Sequence, residues 1–291
     1  MRLQAEKLAN IAPNLSIKAN KLANTVWEGI HNRNKTGIGE NFWQFKKYEH
    51  GDPIHLIDWK KSAKSQDFYI QEQELSTIQN INIWRDTSNS MNYSSSKNIE
   101  SKINIANLIT LTLSIILVKN MEKVKLNSIG LKYNNDNKAI ELITNQLITK
   151  TSKKYQSHPN SEEIINGSTS ILIGDFLYNP KNTENIIKTL SSRNINGLLI
   201  HIVDPAEKLF PYSGRINFKG TEGEEPHLVG NADTIKKQYL DKFNKHCNKL
   251  KNLSESYGWN YFMHITNQDL VELIIKIYSN LSSNNQENIE I

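Results

Sequence analysis

A chain of 291 residues, 37% hydrophobic and 22% charged, can bury a full core and is too long for a peptide-scale module. Its net charge of +5 permits acidic partners, but the charge is spread along the chain instead of clustered as nucleic-acid binders cluster it. One cysteine, Cys247, excludes an internal disulfide and any cysteine-based metal motif, and the expected location is cytoplasmic.

Residues 1–75 read as an N-terminal helical and aromatic extension. Two helical patches lead to the charged, aromatic run from Phe42 to Tyr48, which ends at a Gly51-Asp52-Pro53 turn. No strand-helix alternation is visible before about Lys64, and residues 1–10 lack the apolar core of a secretory signal. Asp52 and Asp58 read either as ligands or as turn and packing residues, Asp58 beside a buried Trp59.

The pattern changes from Phe68 onward. Strands are expected over 68–70 and 78–84, a helix over 97–119, a strand over 124–131 and a helix over 138–149. A strand over 170–173, a helix over 183–193 and a strand over 198–203 follow, and helix 234–257, strand 259–264 and helix 269–281 close the chain. This rhythm predicts an α/β fold over residues 76–291, a doubly wound, mostly parallel sheet. The apolar stretch 103–118, broken by Asn104, Asn107, Thr110, Thr112 and Ser114, falls short of the roughly 20 residues that span a bilayer and reads as a buried helix. Residues 236–251 hold six lysines and one acid, Asp241, while Leu240, Phe243, Cys247 and Leu250 recur at helical spacing, so the lysines form a solvated face.

Asp86-x-Ser88-x-Ser90 follows the apolar strand that ends at Trp84. One carboxylate and two hydroxyls on alternate residues make a hard-oxygen cluster suited to Mg²⁺ or Mn²⁺, although Asp and Ser are also common where helices start. A second apolar strand, Ile171-Leu172-Ile173, ends in Gly174-Asp175. Alone that is ordinary turn chemistry, but in a doubly wound sheet the two strand ends can be neighbours, and ligands bind at that carboxyl edge. Asp86, Ser88, Ser90 and Asp175 are therefore the candidate metal ligands. The long connection 204–230, rich in Pro and Gly and holding Leu209, Phe210, Tyr212 and Phe218, leaves the same edge and is expected to flank them. His201, in an apolar strand, reads as a core histidine.

No base or nucleophile stands out, so the expected function is non-enzymatic: a metal-dependent protein-protein interaction module. A Mg²⁺-dependent hydrolase or phosphotransferase using Asp86 as nucleophile is the first alternative, weakened because Ser88 stands where the usual second Asp would be. A nucleic-acid binder is the second; it rests on charge alone.

Several motifs together resemble one family. They are Gly29-Ile30-His31, Gly37-x-Gly39-Glu40, Phe42-Trp43-Gln44-Phe45, Tyr48-x-x-Gly51-Asp52, Ile57-Asp58-Trp59-x-x-Ser62-Ala63, the Asp86 to Met91 run and Val203-Asp204-Pro205-Ala206-Glu207. In these the chain resembles the domain of unknown function 58 family, with Lys47, Lys60 and Lys64 where the family tends to have Arg. The resemblance implies a von Willebrand factor A-like fold with a metal-ion-dependent adhesion site, in which Asp86, Ser88 and Ser90 form the first metal loop and Asp175 the last. Thr149 and Thr151 are candidates for the middle loop by chain order. The resemblance also implies a MoxR-type AAA+ ATPase as partner.

Overall fold

Strands covered on both faces read as continuous apolar runs, and those around Ile83, Leu172 and Leu199 form the centre of a parallel sheet. The computed structural model describes residues 2–33, 44–65, 67–72, 78–127, 132–149, 158–178, 180–221 and 223–287. The chain divides into two compact units, one of residues 1–27 and 78–280, the other of residues 28–77 and 281–291.

A long helix, α1 (Arg2–Arg33), opens the chain, followed by β1 (Gln44–Lys47), α2 (Trp59–Ser62) and β2 (Tyr69–Glu72). The larger unit continues with β3 (Asn80–Arg85), α3 (Lys102–Lys119), β4 (Lys123–Leu126), α4 (Asn137–Ile148), β5 (Thr169–Gly174) and α5 (Pro180–Ser191). Then come β6 (Asn196–Val203), α6 (Pro205–Leu209), β7 (Ile216–Phe218), β8 (His227–Val229), α7 (Ala232–Ser256), β9 (Asn260–Ile265) and α8 (Leu270–Glu287).

The main sheet has five parallel strands in the order β4-β3-β5-β6-β9. Counted along the chain within this sheet, the order is 2-1-3-4-5, so the direction of winding reverses between β3 and β5. Register places Trp84 beside Leu172 and Leu172 beside Leu199. With Phe176, Ile187, Leu190, Leu250 and Trp259 these side chains form the core on one face. On the other lies α3, apolar almost all round, as a helix enclosed by protein can be. By length and composition α3 could cross a membrane, yet 72% of it is buried within the protein. Ala19, Ala23 and Val26 of α1 are buried, and Lys18 and Asn24 reach Glu100 and Lys119.

The doubly wound α/β architecture is as the sequence predicts, with local differences. Helix α3 begins at Lys102, not at residue 97. The Ser94 hydroxyl donates to the carbonyls of Ser96 and Ile99, and the Ser95 N–H donates to Asp204, which holds this stretch as a loop up to the N-cap at Ser101. Residues 128–131 of the strand expected over 124–131 lie outside the described residues. All six lysines of the 236–251 stretch are exposed while Leu250 is buried.

In the smaller unit, β2 does not join the parallel sheet. It pairs antiparallel with β1, a strand the sequence did not signal because Gln44-Phe45-Lys46-Lys47 carries a single apolar residue. Trp59 is not buried: it is 61% exposed, with its ring edge-to-face on Phe68. Asp58 is the N-cap of α2, accepting from the Lys61 N–H, and Asp52 accepts from the Glu49 N–H and pairs with Lys46.

Trp84 fills the centre of the core cluster, so Trp84→Ala should lower the stability of the larger unit by about 3–5 kcal/mol, read by chemical denaturation.

Candidate functional site

The winding reversal sets the site. Strands β3 and β5 are hydrogen-bonded neighbours, and the ladder extends one residue past the strand, the Asp86 N–H donating to the Ile173 carbonyl at 2.8 Å. Asp86 and Asp175 thus leave adjacent strands at the switch point, where such sheets place ligands. The close approach requires Gly174: a Cβ there would lie 2.8 Å from Asp86 Cβ and 3.1 Å from its Oδ2.

Asp86 is fully buried. Its Oδ1 accepts the Ser88 N–H at 2.8 Å, an Asx turn that aims the loop back over the strand end. Its Oδ2 is buried and has no hydrogen-bond partner among the described residues. The Ser88 and Ser90 hydroxyl oxygens lie 2.9 Å apart. Burial first, then the neighbouring Asp175 carboxylate, push the Asp86 carboxyl up to about 6, against the pull of the Ser88 N–H, the Ser88 side chain and the Lys102 charge.

Asp175 also lies in the interior, and here the sequence reading missed a partner. Its Oδ2 is 2.8 Å from Lys102 Nζ, and the ammonium lies 2.6 Å from Glu207 Oε1. Burial works against the charged lysine, but Asp175 and Glu207 outweigh it and hold Lys102 above its ordinary value. Glu207 is placed by a capping box at the start of α6, where Asp204 accepts the Ala206 N–H and Glu207 accepts the Asp204 N–H. In the sequence Val203 to Glu207 was taken only as a family motif; the Asp-x-x-Glu spacing is a signal from which the capping box could have been read, whereas the reach of Glu207 to Lys102 has no local signal. Asp204 also accepts the Ser95 N–H, and Tyr93 and Tyr212 share a hydroxyl-hydroxyl bond of 2.8 Å, so the 204–230 connection does flank the Asp86 loop.

The other candidates separate. Thr151 lies outside the described residues, and Thr149, exposed at the C-cap of α4, donates its hydroxyl to the Asn145 carbonyl. His201 is a buried core residue whose Nδ1 meets the Tyr261 hydroxyl at 2.8 Å, and burial pushes it down to about 3.

The donor types at the first loop fit a hard divalent ion: one orphaned carboxylate oxygen and, in the same loop, two hydroxyls 2.9 Å from each other. With Asp86 ionised, the carboxylates of Asp86, Asp175 and Glu207 face the Lys102 ammonium, and the Arg85 guanidinium also acts on Asp86. Among the described residues no three His, Cys, Asp or Glu side chains converge. An ion held here would therefore keep much of its water.

Residues 44–249, more than half of the chain, match the family described as protein of unknown function DUF58. The chain belongs to the DUF58 family. No curated protein matches this DUF58 chain. Among solved structures it is similar to the conserved hypothetical protein BatB of Bacteroides thetaiotaomicron, at 14% identity and a TM-score of 0.41, covering 70% of this chain and 99% of that one. It is also similar to an aerotolerance-related membrane protein of Bacteroides fragilis NCTC 9343 with multiple mutations to serines. That match has 15% identity and a TM-score of 0.40, covering 69% of this chain and 97% of the other.

Two outcomes follow from the geometry. Gly174→Ala should cost about 1–3 kcal/mol, read as a fall in Tm, because the strand end and Asp86 must move apart. The Asp86 value lies above the ordinary 3.8, so the folded protein favours the protonated acid, and that stability is present below about pH 4 and lost as pH rises through about 6. In metal-free buffer Asp86→Asn should therefore gain on wild type by up to about 3 kcal/mol between about pH 4 and about pH 7. A constant Tm difference across paired melts would contradict this.

Proposed function

We propose that this DUF58 protein is a non-enzymatic interaction module whose switch-point crevice binds Mg²⁺ or Mn²⁺ and through it a carboxylate of another protein. The observation that supports the reading is the buried, unpartnered Asp86 Oδ2 in one loop with the paired Ser88 and Ser90 hydroxyls. A buried acceptor without a donor is costly, and a cation is the species that satisfies it together with two hydroxyl oxygens. Asp86, Ser88 and Ser90 would hold the ion, and Asp175 would complete the acidic side. Bound there, the ion supplies Lewis-acid affinity for a carboxylate oxygen.

The chain's own residues do the positioning. Gly174 lets Asp86 reach the strand end, the Ser88 N–H orients its Oδ1, and the hydroxyl pair faces the same loop. The family motifs support a von Willebrand factor A-like site, and with it a MoxR-type AAA+ ATPase as the protein that presents the carboxylate. The single cysteine is in keeping with work in the cytoplasm.

Titration calorimetry with MgCl₂ and MnCl₂ tests the reading. Wild type should bind one ion and Asp86→Ala none, and capture of the ATPase should be lost in chelator and in Asp86→Ala alike. Capture that ignores both chelator and the substitution would refute metal-dependent recognition.

A further inference from the structure

Asp175 is already engaged by a cation. Lys102 Nζ lies 2.8 Å from Asp175 Oδ2 and 2.6 Å from Glu207 Oε1, with the lysine side chain 1% exposed and Asp175 2% exposed. The Tyr93 ring stands 5.9 Å from the same ammonium. Lys102 is the first residue of α3, Asp175 follows the end of β5, and Glu207 belongs to α6, so the lysine is braced from three elements. The charge is also felt at Asp86, where Lys102 opposes the effect of Asp175.

A divalent ion at the Asp86 loop and the Lys102 ammonium thus compete for one carboxylate. Two cations repel, and they do so strongly where both are withdrawn from water. Asp86, Ser88 and Ser90 offer an ion only one charge, and the second charge is held by lysine.

Resting on the metal reading above, we propose that Lys102 is a resident cation that occupies the Asp175 side of the crevice and weakens divalent-ion binding. The site is then conditional: it takes Mg²⁺ tightly only when Lys102 releases Asp175. Without metal the lysine gives Asp175 and Glu207 a shared counter-charge, which holds the three elements that carry them together.

Lys102→Met and the double variant Lys102→Met/Glu207→Gln test this. The single variant leaves two carboxylates without their buried counter-charge and risks misfolding. The double variant removes one charge of each sign, so it keeps the net charge of the site and frees Asp175; any gain in affinity then reports the freed ligand. Mg²⁺ calorimetry and the Mg²⁺-induced change in Tm are compared among wild type, both variants and Asp86→Ala. The expected result is Mg²⁺ bound at least about tenfold more tightly by the double variant than by wild type. Its rise in Tm with added Mg²⁺ should be larger too. Equal affinity in wild type and the double variant overturns the resident-cation inference and leaves the metal reading standing. Binding in the lysine variants alone supports the inference and overturns metal binding by wild type, and binding in none of them overturns both.

Discussion

A lysine with its side chain 1% exposed depends on its counter-ions, and the carboxyl edge of this protein is organised around that dependence. Taking an ammonium out of water costs several kcal/mol, recovered only when carboxylates and hydrogen bonds surround it. Asp175 and Glu207 do so at 2.8 and 2.6 Å. Removing one partner of such a buried pair costs about 3–5 kcal/mol. The start of α3, the exit from β5 and the first turn of α6 are therefore tied to one another.

Within that frame Asp86 is the member left over. Its Oδ1 is satisfied locally by the Ser88 N–H, while its Oδ2 is enclosed, unpartnered and close enough to Asp175 to raise its proton affinity. The glycine that permits the close approach belongs to the neighbouring strand. A buried carboxylate set against a second one works against stability. Burial and the Asp175 carboxylate together push this acid up to about 6.

The same edge shows how a long connection can serve a site without supplying a ligand. Phe210 packs on Tyr212 and Phe218 of the same segment and on Tyr239 of α7, so the 204–230 connection is tied to that helix by an aromatic cluster. Through the Tyr93–Tyr212 hydroxyl pair and the Asp204 bond to the Ser95 N–H, it braces the loop that follows the Asp86 motif. That bracing explains why the expected helix start at residue 97 moved to Lys102, and so why Lys102 points from a helix N-terminus to Asp175.

Much was legible without coordinates. Apolar runs, helical spacing and strand ends are local properties, so the alternation of elements, the carboxyl-edge placement of Asp86 and Asp175 and the solvated lysine face of α7 followed from the sequence. The Asp86, Ser88, Ser90 cluster was visible because its atoms come from one loop. The exposed Trp59, the β1–β2 pair, the contact of Gly174 with Asp86 and the meeting of Lys102 with two acids were decided only by tertiary structure. Lys102 lies 73 residues from Asp175 and 105 from Glu207. Periodicity and capping act over a few residues, whereas an ion pair across such separations exists only once the strand order brings its partners to one edge.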